Sequence, residues 1–387
     1  MKKMISLFLS LLLIMTLVAC GTPAVHSPDP SVTPSDNSSQ SQSATTPDHG
    51  NKADDNKHNL VSSDLTPSEG LAFESNGDGT CTLVGIGTCH DTDIVIPTKS
   101  PEGDTLTLIQ EYAFVGLEDV ESITLLNYEH EVDAHAFQYG EMTAVHIIGG
   151  TPIIGESAFS SCEKLTAVTF TNCAPQVDEY AFFSCGKDAA VTFSNCTGTL
   201  DKRSFQYGDL ASVTIEQCDL VIEESAFASC EDLTSITCTD STLQIAEYAF
   251  LGIGDPDSVT MTDCELLMDD RAFQYASLSD LTISGKSVEI GDSAFSSCED
   301  LTTVTIDSPS VVLGEYAFLG CEDLTSVSIC DNKQHSNAIT IDDRAFQYCS
   351  NLSSVTIGQG TVDMGKNIFS ACSEELFVSV AGKPYTE

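Results

Sequence analysis

Seven cysteines, Cys162, Cys185, Cys230, Cys298, Cys321, Cys349 and Cys372, each stand three residues after a phenylalanine. That fixed spacing decides what their thiols can do. Sixteen cysteines in one chain ordinarily point to a disulfide framework or to metal ligation. A thiol that returns at one register of a repeat faces inward, about 4.8 Å from its counterpart in the next copy, at the wide edge of disulfide geometry. The register therefore favours free, buried thiols that act as small apolar fillers. Cys173, Cys196, Cys218 and Cys264 recur in the same way, three residues after a later apolar stretch. Cys81 and Cys89 lie outside the pattern, eight residues apart, and are the candidate disulfide, with two free thiols as the alternative. Cys81 and the Cys89-His90 pair lack a second close Cys/His pair to complete four ligands, so no metal site is assigned.

Carboxylates are the other abundant reactive group. The chain has 58 acidic and 15 basic residues and a formal net charge of -43, which argues against nucleic acid and anionic lipid headgroups as partners. Cationic partners and divalent ions remain compatible with it. Nine acidic residues share one position, three before a phenylalanine: Glu111, Glu156, Glu179, Glu224, Glu247, Asp270, Asp292, Glu315 and Asp343. None sits in the oxygen-rich loop with a glycine turn that marks a dedicated calcium site. The chain also lacks a glycine-rich phosphate loop, a G-x-S-x-G elbow and a metal-binding histidine pair at helical spacing, so no catalytic residue and no cofactor is assigned.

The elements that position these groups follow from the phenylalanines. Phe114, Phe137, Phe159, Phe182, Phe205, Phe227, Phe250, Phe273, Phe295, Phe318, Phe346 and Phe369 are spaced by 22 or 23 residues, with one step of 28. A fixed period of this size means stacked supersecondary units, none of which can bury its apolar face alone. Downstream of each anchor runs an L-x-x-V-x-I spacing, as in Leu165, Val168 and Phe170 or Leu324, Val327 and Ile329. Its final alternation predicts a short half-buried strand, and stacked copies predict a parallel sheet. The outward position between the last two apolar residues is nearly always hydroxylated, as at Thr169, Thr192 and Thr214. Such a small, polar face suits a glycan or an extended polypeptide better than a large apolar partner.

A second period of three units overlies the first. Two residues before the phenylalanine, Tyr112, Tyr180, Tyr248 and Tyr316 recur every 68 residues. Arg203, Arg271 and Arg344 mark the next unit of each block, where the first block has His135. These tyrosines and arginines are the candidate ligand contacts, repeated about every 14 Å along the stack; tandem duplication alone is the alternative. The second class also carries Gln-Tyr just after the phenylalanine, at Tyr139, Tyr207, Tyr275 and Tyr348.

At the N-terminus, Lys2 and Lys3 precede an apolar run from Ile5 to Val18 that is short for a membrane span. The following Leu17-Val18-Ala19-Cys20 resembles the lipobox of bacterial lipoproteins. That resemblance implies a signal peptide over residues 1–19 and a lipid on Cys20. Residues 20–66 contain no aromatic residue and are rich in Ser, Thr and Pro, which predicts a tether without a core. Residues 67–103 form an expected β cap, with Asn76-Gly77-Asp78-Gly79 as the turn of a hairpin. The array then occupies 104–387.

The motif Ala-Phe-x-x-Cys-x-x-Leu-x-x-Val-x-Ile resembles the leucine-rich repeat of the BspA, or treponemal, type over roughly residues 71 to 387. The expected fold is thus an α/β repeat solenoid of about twelve 22–23-residue units, with a parallel sheet on the concave face, short helical turns and an N-terminal hairpin cap. The resemblance implies a bacterial cell-surface protein concerned with adhesion, without catalytic residues. Its expected partner is an extracellular protein or glycan, its membrane contact is confined to the N-terminal lipid, and its expected state is monomeric. A structural spacer with no ligand is the alternative.

Overall fold

The computed structural model describes residues 65–254, 258–330 and 337–385. Cys20, the signal peptide and nearly all of the tether lie outside them. The described chain winds as a solenoid in which each coil contributes to two parallel ladders. One ladder runs from Asp93–Ile96 through Ser122–Tyr128, Ala144–Gly150 and Ala167–Thr171 to Phe377–Val380. The other runs from Thr80–Gly85 through Thr105–Ile109 and Glu131–Val132 to Gly360–Met364. In mid-array, Ser258–Met268 and Asp280–Ile290 are single long strands that serve both ladders. Counted this way, each ladder has thirteen rungs among the described residues. Twelve of these coils carry one phenylalanine turn each, as Phe114 does between Thr105–Ile109 and Ser122–Tyr128, and Thr80–Gly85 with Asp93–Ile96, upstream of the first anchor, makes the thirteenth.

Register is set by burial. Val145, Val168, Val191, Val213 and Ile236 pair in line across successive strands and are all buried. Thr169, Thr192, Thr214 and Thr237 alternate with them and keep partial exposure. A slip of one residue would turn the whole valine set to solvent. Behind the strands, the twelve anchor rings form one continuous stack, with neighbouring centroids 4.7 to 5.8 Å apart and planes within 14°. Offset aromatic stacking adds to the roughly 1.5–3 kcal/mol that burial of each such side chain contributes.

The turns that carry this stack are not helical. The residues two before and two after each phenylalanine are left-handed in every coil, as at Arg203 (φ 58°), Tyr207 (φ 58°), Ser225 (φ 61°) and Ser229 (φ 59°). Alternating handedness points every second N–H along the stack instead of back to residue i−4. Arg203, Phe205 and Tyr207 donate their amides to Glu224, Ala226 and Ala228 of the next coil at 3.2, 2.8 and 3.1 Å. The amides between them close tight local turns, Ser204 to Asp201 and Gln206 to Arg203, both at 3.2 Å. The expected short helical turns are replaced by a third column of bonds between coils, and the described fold is all-β.

Both ends of the strand ladders are covered in part. Ala72–Ser75 and Thr80–Gly85 form an antiparallel hairpin whose second strand begins one ladder. Its turn is pinned by Asp78, whose Oδ1 accepts from Thr80 Oγ1 at 2.6 Å and Thr80 N at 3.0 Å, which lowers the carboxyl pKa. At the other end Phe377–Val380 is met by the antiparallel Lys383–Pro384. Turned-back strands of this kind blunt the edge-to-edge pairing that open sheets invite.

Candidate functional site

The Tyr/Arg classes meet in space because the three-unit period stacks them one coil apart. Arg203 Nη1 donates to Glu179 Oε1 at 3.0 Å and to Tyr180 Oη at 3.3 Å, with its guanidinium carbon 5.9 Å from the Tyr180 ring centre. Arg271 repeats this with Glu247 at 2.7 Å and Tyr248 at 3.4 Å, again 5.9 Å from the ring. Arg344 does so with Glu315 at 2.9 Å and Tyr316 at 3.0 Å, 5.5 Å from the ring. Tyr112, whose block has no arginine, stacks instead on His135 at 5.3 Å and 4°. All seven candidate contacts are thus held within the chain as clamps between neighbouring coils. These ion pairs are more than a third exposed, where such pairs stabilise weakly.

The acidic column has structural work as well. Asp292 Oδ1 accepts the Glu315 amide at 2.7 Å, Asp270 Oδ1 the Asp292 amide at 3.0 Å, and Asp343 Oδ1 the Lys366 amide at 2.8 Å. Each carboxylate reaches the backbone of the coil after it, and the clamps engage Glu179, Glu247 and Glu315. Among the described residues no group of three His, Cys, Asp or Glu side chains is placed to hold a metal ion.

The thiols show one recurring contact. Cys162, Cys230, Cys298, Cys321 and Cys349 each direct Sγ to the carbonyl of the anchor phenylalanine in the coil before, at 3.1 to 3.3 Å. Sulfur so placed fills the space beside the ring stack, and at Phe137, Phe205 and Phe273 it shares the carbonyl with the amide of Gly140, Gly208 or Ala276. Burial pushes the Cys230 thiol up to about 12. Cys173 and Cys196 lie 3.5 Å apart through sulfur, and this contact leads in raising Cys196 to about 11. Cys81 and Cys89 are buried separate thiols, the first directed to the Asp104 carbonyl at 3.5 Å.

Sequence comparison meets this geometry at the repeat itself. The family model for the BspA type leucine rich repeat region (6 copies) matches at residues 89–208, 130–255 and 266–379, most of the chain. The chain belongs to this family. Among solved structures, the BspA-type solenoid is similar to a leucine-rich repeat protein from Bacteroides ovatus, with 19% identity, 81% of this chain and 94% of that one covered, and a TM-score of 0.31. It is also similar to a leucine rich cell surface protein from Faecalibacterium prausnitzii, with 18% identity, 78% and 96% covered, and a TM-score of 0.27. A leucine-rich repeat protein from T. pallidum is 16% identical, with 80% and 90% covered and a TM-score of 0.19. No curated protein matches the sequence. The BspA-type repeat and its solenoid are typically non-enzymatic.

On this BspA-type scaffold the most exposed aromatic residues, apart from Phe377 on the last strand of its ladder, are a set that the candidate contacts did not include. Tyr139, Tyr207, Tyr275 and Tyr348, two residues after their anchors, are between 56% and 59% exposed. Each is left-handed, a conformation that disfavours a side chain by on the order of 1 kcal/mol. Phe183 bridges the two tyrosine columns, edge-on to Tyr180 at 5.3 Å and to Tyr207 at 5.6 Å. The Gln-Tyr dipeptide is the sequence signal for this row, but exposure could be read only once the turn geometry was known.

Proposed function

We propose that the chain is a lipid-anchored cell-surface protein whose BspA-type solenoid is a scaffold for binding an extracellular protein or glycan. In this reading Cys20 carries the lipid after removal of residues 1–19, residues 20–66 are the tether, 67–103 cap the array, and 104–387 display it. The molecule acts as a monomer that touches the membrane only through its lipid. The observation that carries the reading is membership of the BspA-type repeat family, whose stacked coils make one long continuous surface. A ligand-free spacer is the second reading, and it is favoured by one feature: Arg203, Arg271 and Arg344 already spend their guanidinium groups on the chain's own Glu and Tyr.

The test uses cells that display the intact protein and cells carrying Cys20→Ala, compared for fatty-acid labelling and for adhesion to matrix proteins and to a glycan array. Loss of label, release of the variant and loss of adhesion with it are expected. Unchanged labelling would remove the lipid anchor from the proposal, and an intact displayed protein that adheres to nothing would leave the spacer.

A further inference from the structure

Four tyrosines that gain little from burial occupy a backbone position that tolerates side chains poorly. Tyr139, Tyr207, Tyr275 and Tyr348 have φ of 59°, 58°, 61° and 63° and stay more than half exposed. Other coils fill the same position with Gly116, Gly252 and Gly320 or with serines such as Ser184 and Ser229. Neither the turn nor the core requires a ring there.

We propose that these four rings form a row of seats for an extended basic polypeptide that carries a positive side chain on every fourth residue. The inference rests on reading the chain as an interaction scaffold, and it names the partner's chemistry. Three observations carry it.

The first is spacing. The tyrosines recur every three coils, and the anchor rings between Tyr139 and Tyr207 follow one another at 4.8, 5.0 and 4.8 Å. Three such steps amount to just under 15 Å, close to the roughly 14 Å of a sheet's strand spacing taken three times. A fully extended polypeptide advances at most about 3.3–3.6 Å per residue, so four residues span about 14 Å. Residues i and i+4 of an extended chain lie on one face. Steps of three or five residues would miss the pitch by about 3 Å each time and drift out of register along four seats.

The second is charge. Every seat has an adjacent coil with exposed acidic residues two and three positions beyond the tyrosine's place in the turn: Glu118 and Asp119 on the coil before Tyr139, Glu231 and Asp232 on the coil after Tyr207, Glu299 and Asp300 on the coil after Tyr275, and Glu322 and Asp323 on the coil before Tyr348. A tyrosine face attracts a cation, and neighbouring carboxylates reinforce it. The net charge of -43 steers basic partners toward the whole array.

The third is the polar setting. Gln138, Gln206, Gln274 and Gln347, all half-buried, immediately precede the four tyrosines; Gln138 Nε2 donates to Ser160 Oγ at 3.4 Å, and the side-chain type at all four supplies amide donors and an acceptor suited to the backbone of an extended chain. Four identical weak seats on one stiff body gain strength through multivalency rather than through any single contact.

The test uses the full-length protein and three synthetic peptides of equal length, each with four arginines in a Gly/Ser background. The arginines are placed at every third, every fourth or every fifth residue. Binding is measured by calorimetry at two salt concentrations. The peptide with arginine at every fourth residue is expected to bind at least tenfold more tightly than the other two. The quadruple variant Y139S/Y207S/Y275S/Y348S should bring it down to their level without changing net charge, since serine already occupies this position in other coils. The Tyr→Phe quadruple variant, which keeps the rings, should retain binding. Equal affinity for all three peptides, or unchanged binding by the serine variant, would overturn the row of seats. If no peptide binds but the displayed protein still adheres to a glycan or another protein, this proposal fails while the scaffold reading survives. If nothing binds at all, both fail.

Discussion

Arg203 lays its guanidinium over the ring of Tyr180, 23 residues earlier, and donates to its hydroxyl at 3.3 Å while pairing with Glu179 at 3.0 Å. The same three-sided contact recurs around Arg271 and Arg344, so the alternation of tyrosine and arginine along the chain becomes adhesion between adjacent coils. Because the group is exposed on one side, Arg203→Ala should lower stability by less than about 1 kcal/mol. A double-mutant cycle with Tyr180→Phe, followed by urea unfolding, should give a coupling of a few tenths of that unit. A coupling of zero would reduce the clamp to a surface coincidence.

The ring stack is a much larger matter. Phe205 is buried between Phe182 at 4.8 Å and Phe227 at 5.0 Å. Phe205→Ala opens a cavity and removes two stacking partners, so a loss of about 3–5 kcal/mol is expected. In a quasi-one-dimensional array the damage is felt mainly by neighbouring coils. Hydrogen exchange should therefore show faster opening of the coils around Phe182 and Phe227 than of those around Phe318.

Alkali should weaken the fold through its thiols. The folded pKa of Cys230 is raised from the ordinary 9.0 to about 12 by burial, so the neutral thiol is favoured in the native state. The stabilisation is complete below pH 9, where neither state ionises. It is lost as pH rises toward 12, because the unfolded chain releases its proton first. Melting temperature should fall across that window, and less steeply in Cys230→Ala. At neutral pH the buried repeat thiols, which exclude the half-buried Cys372, should react with a small alkylating agent only after denaturation, with no reductant required. Scarce free thiols in denatured, unreduced protein would show that the coils are cross-linked.

Salt should act in the opposite sense. Native self-repulsion at a net charge of -43 is relieved by screening, so sodium chloride should raise the melting temperature. Millimolar calcium and magnesium should give similar shifts that fade in high salt, since Asp270, Asp292 and Asp343 of the acidic column hold backbone amides and Glu179, Glu247 and Glu315 hold arginines. A calcium-selective rise of several degrees that persists in high salt would require a specific site.

The strand columns and ring stack were legible because apolar residues at a fixed period must share one buried face: Val168 and Phe170 mark a strand from sequence alone. The second ladder was harder to see. Gln176–Val177 and Ile153–Ile154 are two-residue strands, too short to alternate visibly. The turns were misread for a physical reason. Arg203, Ser225 and Tyr207 carry no local signal for a left-handed backbone, because the bonds that hold them there come from the next coil. For the site, the residue types of the tyrosine and arginine classes were visible, but only stacking reveals that Arg203 turns along the surface onto Tyr180 while Tyr207 stays more than half exposed.

The clamp couples a residue in one coil to a residue in the next, and the pairing rule repeats only after three coils. Loss or gain of a single coil by unequal recombination would set an arginine beside a serine and strand a tyrosine, whereas a change of three would leave every junction intact. Length variation in this lineage should therefore be quantised in blocks of about 68 residues, a genetic ratchet imposed by side-chain partnership rather than by the backbone.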